Sequence, residues 1–329
     1  MEKRISYIDV CKGILILMVV LGHVVYIMRI TTGLALGSFP YVFIQNIASI
    51  WIAPYYMAAF FLISGYCSKF IRPLKEQIFT DGKRLVLPAI IIPLIMKIVT
   101  PPMCDINFHI FSYILYGDLP WFLMAMFWAR IFFKIVMLPN IKDVYKPIFF
   151  IILSIVGCLI LERYKGLEYL SFFHGLAFSL FVFIGNKLKN VKISKMWIVS
   201  VICIYISLVI TCAGHVPALC ADIYFGIRQW PIYIVAAFCG SLFIFQLSKF
   251  IGHNSVLEIL GRNSLVIYLT HCEFLRIMST YMIGYISKYN MSFLFSFCII
   301  LFMFVGATCW GVIWSLLLNR KYTKWIVGK

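Results

Sequence analysis

Long apolar stretches, each near the length of a membrane-spanning helix, recur along the chain with short polar intervals between them. A helix crossing the bilayer needs about 20 mostly apolar residues, with roughly 17–25 as the usual range. Ten stretches reach or approach that length: 9–28, 46–66, 84–99, 120–138, 147–161, 170–187, 195–213, 230–248, 264–284 and 292–318. The third and fifth are short, and Pro88 and Pro93 within the third predict a kinked helix whose freed backbone groups neighbouring helices satisfy. The first is too long for the apolar part of a secretory signal. It is interrupted near its end by Gly22 and His23 and precedes no small-x-small cleavage site, so it is expected to remain as a span. The pattern predicts an all-α, polytopic transmembrane helical bundle of about ten spans, read as a single integral-membrane domain over 1–329.

Composition agrees. Of the 329 residues, 63% are apolar and 12% charged, and mean hydropathy is +0.97. A soluble domain averages nearer half apolar and a quarter charged, and a disordered chain is poorer still in apolar residues. The net charge of +17 would suggest nucleic acid in a soluble protein, but here its distribution decides. With an even number of spans, 20 of the 29 Lys and Arg fall in connections on the side of the termini, five on the other side and four within spans. Such asymmetry places both termini in the cytoplasm of a multi-pass protein of the cytoplasmic (inner) membrane. The excess charge then has the lipid bilayer as its partner, and no nucleic acid is needed. The 11 cysteines form no CxxC or Cys/His cluster of zinc spacing, so no metal is expected. Cys158, Cys203, Cys239 and Cys298 read as small apolar fillers within spans, and Cys212 and Cys220 lie close enough to the outer face to pair.

Ionisable groups inside a span are costly and are functional candidates. In the first span, Lys12 and His23 project within about 20° of each other and Asp9 within about 40° of His23, at 100° per residue. His23 lies roughly 21 Å along the axis from Asp9. A histidine at that depth suits proton transfer, although a hydrogen-bonded packing residue fits the same stripe. Ser64-Gly65 in the second span allows close approach of another backbone. Lys83-Arg84 at the entrance of the third suits phosphate groups or an ordinary interfacial anchor. Arg130 lies at mid-span with either a structural ion-pair role or a site role, and His174, alone near the outer face, reads as structural. In the ninth span, Tyr268 and His271 share a face that either packs or lines a cavity, and Glu273–Arg276 at i, i+3 reads as an internal ion pair.

In this order the pieces resemble the membrane-bound acyltransferase 3 family, nearest its fucose 4-O-acetylase-like sugar acetyltransferases. The resemblance rests on Arg4-Ile5-x-Tyr7-Ile8-Asp9-x-x-Lys12-Gly13 with Gly22-His23, a basic-x10-His element, and on Phe60-Phe61-x-x-Ser64-Gly65-Tyr66. Lys83-Arg84…Pro88, Trp121-Phe122-Leu123 and Gly261-x-Asn263-Ser264…Tyr268-x-x-His271 add to it. It implies an integral-membrane O-acyltransferase that moves an acetyl group from cytoplasmic acetyl-CoA to a hydroxyl of a cell-surface or lipid-linked carbohydrate. His23 is the implied catalytic histidine, with Lys12 and Asp9 on its stripe. Lys83, Arg84, Ser64 and Arg130 are then expected toward the acyl donor, and Trp121, Tyr268, His271 and Asn263 toward the acceptor. The chain reads Tyr56-Met57-Ala58-Ala59-Phe60-Phe61 where relatives often read His-Met-Pro-Leu-Phe-Phe, so a histidine is missing on the acceptor side. His23 as general base in direct transfer and His23 as an acyl-carrying nucleophile both satisfy the pattern. From other classes, a transporter or flippase for a small solute or lipid-linked sugar would need related halves, which the sequence does not show. A non-catalytic sensor of acyl-CoA would bind without product.

Overall fold

Each of the ten apolar stretches folds as helix in the computed structural model, which describes residues 5–32, 39–99, 120–138, 142–164, 169–191, 195–219, 225–286, 293–320 and 323–327. The helices are α1 Ser6–Thr32, α2 Phe39–Asn46, α3 Tyr56–Cys67, α4 Leu74–Asp81, α5 Leu87–Val99 and α6 Trp121–Val136. They continue as α7 Lys146–Arg163, α8 Phe172–Lys187, α9 Lys195–Thr211, α10 Trp230–Ile251, α11 Ser255–Ile286 and α12 Phe293–Leu318. No strand occurs among the described residues. Among the described residues four segments are long and apolar enough to cross a membrane by length and composition: Ser6–Met28, Val42–Cys67, Ile227–Ile251 and Leu294–Leu318. α5, α6 and α8 fall short in length, and α11 carries Glu258, Arg262, Glu273 and Arg276. Of Leu294–Leu318 only 33% is buried, so an apolar helix turns most of its surface outward, as a helix solvated by lipid does.

Prolines set the irregularities. Among the described residues two π-helical segments occur, Ile47–Ile52 ahead of Pro54 and Gly82–Val86 ahead of Pro88. A proline ring collides with the carbonyl four residues earlier in a regular α-helix. Those carbonyls belong to Ile50 and Arg84, and each lies in a widened turn that moves it aside. Pro93 remains inside α5.

The chain forms two compact units. The first comprises Met1–Ala53, Ile98–Thr100 and Leu247–Lys324; the second comprises Pro54–Lys97, Pro101–Gln246 and Trp325–Lys329. In the first, α11 packs along α1 and α12. The α1–α11 crossing is made by two reciprocal glycines. A Cβ on Gly13 would lie 2.1 Å from the carbonyl oxygen of Leu257, and one on Gly261 would lie 1.8 Å from that of Asp9. These pairs centre the crossing on residues 11 and 259. His23 and His271, whose rings touch, each lie twelve residues further on, so the two helices run parallel and meet again about 18 Å above the crossing. Below it, α10 stops at Gly252, whose φ of +67° suits glycine, and α11 restarts where Asn254 Oδ1 accepts from the Leu257 N–H at 3.0 Å. Ser6 Oγ donates to the Gly252 carbonyl at 3.0 Å and to Glu258. Hydrogen bonds from Ser6 and then His253 hold the Glu258 carboxyl below the usual range.

In the second unit α8 packs against α3, α6 and α7. Its crossing with α3 repeats the device: a Cβ on Gly65 would lie 2.0 Å from the Val182 carbonyl oxygen, and one on Gly185 1.9 Å from that of Leu62. Stacked rings fill the space beside it, Phe61 on Phe178 at 4.3 Å and Phe150 on Phe183 at 4.6 Å.

Backbone carbonyls cannot yield as a flexible side chain can. Gly261→Ala is therefore expected to destabilise the protein by at least the ~1–3 kcal/mol typical of overpacking. The check is thermal unfolding in detergent, with Gly82→Ala as the control, because open space surrounds a Cβ there.

Candidate functional site

Two histidines from distant parts of the sequence meet in the first unit. The His23 and His271 ring centroids lie 4.8 Å apart at an interplanar angle of 72°. Helix geometry fixes both tautomers. His23 Nδ1 lies 2.9 Å from the Val19 carbonyl oxygen and His271 Nδ1 2.9 Å from that of Ile267, each four residues back. A carbonyl only accepts, so each Nδ1 carries a proton and donates it, and in the neutral ring Nε2 then holds the lone pair. Cys272 Sγ lies 3.3 Å from His271 Nε2 and donates to it. Among the described residues no hydrogen bond is made by His23 Nε2, so in the neutral ring that nitrogen is available. Tyr268 adds its ring 6.1 Å from that of His271.

The remaining residues expected here are spread along the two helices. Asp9 is buried and its backbone seats Gly261; Lys12 is half-buried. Lys12 lies eleven residues, about 16 Å, below His23 along α1, so the stripe exists but its members do not touch. Asn263 Nδ2 donates to the Ile259 carbonyl at 2.8 Å, and Asn263 Oδ1 accepts from Ser315 Oγ at 2.7 Å, so this amide ties α11 to α12. Glu273 and Arg276 form the expected ion pair at 2.5 Å.

In the second unit Arg130 has a partner that spacing alone did not reveal. Its Nε donates to Asp81 at 2.9 Å, and its Nη1 donates to Ser64 Oγ at 2.9 Å and to Ser68 Oγ. Gln77 Nε2 donates to the same Asp81 oxygen at 2.5 Å. The side chains of Arg130 and Asp81 are only 14% and 2% exposed, so this is a largely buried, hydrogen-bonded ion pair. The guanidinium also covers the Phe70 ring at 5.0 Å, where the backbone turns through a positive φ of 48°. Ser64 and Arg130, expected on the donor side, therefore meet each other. Trp121 packs against His174 at 5.0 Å and against Phe178 at 6.2 Å. Cys220 lies outside the described residues, and Cys212 is a free thiol.

The residues around Asp81 line a basic cavity. Arg72, Lys75, Glu76, Phe79, Thr80, Lys83 and Arg84 line about 650 Å³ on the outer side of α4 and the π turn that follows. Positions 75 and 79, and 76 and 80, are four-residue neighbours on α4, while Arg72 precedes that helix and Lys83 and Arg84 lie in the π turn after it. Four cations oppose one carboxylate there, an arrangement that suits a phosphorylated ligand. Lys83 and Arg84 were expected toward such a ligand; Arg72 and Lys75 were not. Phe79, 76% exposed between Lys75 and Lys83, offers a flat apolar face among the charges.

The acyltransferase 3 family model, described as an acyltransferase domain, matches residues 5–314, nearly the whole chain. No curated protein and no solved structure matches it.

Removing one member of a buried ion pair strands the other. Arg130→Leu is expected to cost about 3–5 kcal/mol. Arg130→Lys should lose less, because it keeps the charge at Asp81 while giving up the fork to Ser64 and Ser68. Thermal unfolding of the two variants beside the wild type checks the order.

Proposed function

The chain belongs to the acyltransferase 3 family of membrane acyltransferases, and on that premise we propose that it transfers an acetyl group from cytoplasmic acetyl-CoA to a hydroxyl of a cell-surface or lipid-linked carbohydrate, with His23 as general base. The observation that carries the reading is the His23 ring itself. It sits within an apolar helix, with Nδ1–H committed to a backbone carbonyl and Nε2 unengaged among the described residues. A base needs such an atom. The acceptor hydroxyl gives its proton to Nε2 as its oxygen bonds to the thioester carbonyl carbon. The C–S bond then breaks, and the imidazolium returns the proton to the departing CoA sulfur. General-base catalysis of this kind contributes roughly 10²–10⁴-fold. The edge-on His271 ring holds the plane of His23, and His271 and Tyr268 form the surroundings in which the acceptor is received. Lys12 is too far along α1 for the reacting carbonyl and is assigned to ionised groups of the donor.

For the donor, the cations of Arg72, Lys75, Lys83 and Arg84 suit the phosphates of CoA, and the Phe79 ring suits its adenine. Arg130 acts through Asp81 as a positioning residue for that cavity. The topology that accompanies this reading is ten crossings of the inner membrane with both termini cytoplasmic. It is supported by the charge asymmetry of the connections and by the parallel course of α1 and α11, the first and ninth in the series of spans. The acceptor reading is tested by comparing surface glycans with and without the gene by mass spectrometry, looking for loss of one acetyl mass.

Two outcomes follow for membranes supplied with labelled acetyl-CoA and matched for protein. His23→Ala is expected to lose about 10²–10⁴-fold in transfer rate; an unchanged rate would remove the base from His23. In Lys83→Ala and Arg84→Ala, KM for acetyl-CoA should rise about tenfold, the equivalent of one charge-assisted hydrogen bond. kcat should change little, because these side chains hold the donor in ground and transition states alike.

A further inference from the structure

The histidine pair has a third member with its own chemistry. One ring nitrogen of His23, one of His271 and Cys272 Sγ all lie within 4.8 Å of one another. We propose that these three side chains form a binding site for a borderline-soft divalent cation, zinc by preference, and that its occupation silences the transferase. The second part rests on the assignment of His23 as base; the first does not.

The donor set selects the metal. Two imidazole nitrogens and a thiolate suit zinc, whereas magnesium and calcium take oxygen ligands. Glu273, the neighbouring carboxylate, is engaged by Arg276, so no oxygen donor competes from that side. The ligands are also oriented. A histidine that binds metal through one nitrogen commonly donates its other N–H to a carbonyl or carboxylate, which fixes the tautomer. Val19 and Ile267 supply those carbonyls here, at 2.9 Å each. Tetrahedral zinc with bonds of about 2.0–2.3 Å holds its ligand atoms some 3.3–3.8 Å apart, so the trio closes by about 1 Å around the ion. The thiol proton that rests on His271 Nε2 leaves to solvent as the sulfur binds. The exchange is one cation in and one proton out, and three protein ligands leave the fourth position open.

Silencing follows from the same tautomer. With Nδ1–H held by Val19 and Nε2 bonded to metal, His23 has no lone pair left to receive a hydroxyl proton.

The test uses the purified full chain in detergent, stripped with chelator, then titrated with Co²⁺ and afterwards with Zn²⁺. The wild type is expected to bind one Co²⁺ per chain with a sulfur-to-cobalt charge-transfer band, to release one proton per ion, and to lose the band as Zn²⁺ displaces the cobalt. Cys272→Ser should abolish the band and weaken zinc binding by at least 10–100-fold. His271→Asn should weaken binding comparably, while Cys298→Ser, elsewhere in the chain, should match the wild type. Zn²⁺ should inhibit acyl transfer in step with its binding, and in Cys272→Ser the inhibitory concentration should rise by the same factor. A band that survives in Cys272→Ser, or a wild-type chain that takes up no cobalt, overturns the site. Zinc bound at Cys272 without loss of transfer overturns the silencing. The spectroscopic titration needs no turnover, so an inactive preparation that binds cobalt separates failure of the transferase reading from failure of the cation site.

Discussion

Everything in the first unit follows from two backbones touching where glycine permits it. At the α1–α11 crossing, Gly13 and Gly261 admit carbonyl oxygens to within 1.8–2.1 Å of where a side chain would begin. In lipid the hydrophobic effect gives little drive for one apolar helix to choose another, so close van der Waals contact of this kind supplies the preference. It also fixes register. Once residues 11 and 259 are level and the helices run parallel, His23 must face the level of His271; one α-helical residue of slip would displace the rings by about 1.5 Å and 100°. A chemical constellation at one height is thus determined by sterics some 18 Å below it. The polar clasp of Ser6, Gly252, His253 and Glu258 closes the same end of the pair, beneath the crossing.

The second unit solves a different problem with the same opening move. Gly65 and Gly185 bring α3 onto α8, and that close approach belongs to the same short stretch as Ser64 and Ser68. A guanidinium on the next helix then finds two hydroxyls and a carboxylate within reach. An isolated charge in an apolar interior costs several kcal/mol even after relaxation. Here Arg130 is matched to Asp81, and Asp81 is bonded in turn by Gln77, so the cost is offset within one connected network. Asp81 is the buried member of a run whose neighbours Phe79, Thr80, Lys83 and Arg84 face outward into the basic cavity. An interior ion pair and an exterior cation cluster therefore lie on neighbouring residues of one short helical segment.

Element existence was legible in the sequence because it depends on local apolar runs, and all ten runs are helical. Breaks were less so. The second run, 46–66, is not one helix but a π turn, a bend and α3, because Pro54 forbids the carbonyl at Ile50 its regular place. α11 begins at Ser255 rather than 264, because charged residues end a hydrophobic run without ending a helix. Pairings between distant segments left the weakest trace. His23 and His271 are 248 positions apart, so no spacing rule joins them, and Cys272 joins them only through its neighbour. Asn263 looked free for a ligand because its bond to Ser315, 52 positions on, is a tertiary fact. Arg130 declared its cost in the sequence but not its partner. Arg72 joins Lys83-Arg84 only through the fold, because it stands in the turn before α4.

The two clusters, one in each unit, handle charge differently. Cations that suit the phosphates of a donor stand on an exposed helix face, where their desolvation costs little and salt screens them. The group assigned to proton transfer is an imidazole, whose neutral form suits an apolar helix interior that would penalise a standing charge. Neutrality has a consequence of its own. A protonated imidazole repels metal ions, whereas one whose Nδ1–H is held by a backbone carbonyl offers Nε2 to any electrophile that arrives, a hydroxyl proton or a cation alike. Placing a second imidazole and a thiol beside it sharpens that competition, because together they form a chelate that no single residue would. The i−4 hydrogen bond that suits His23 to accept a proton is thus the same feature that exposes it to metal. The two properties cannot be separated without changing the helix geometry that sets the tautomer.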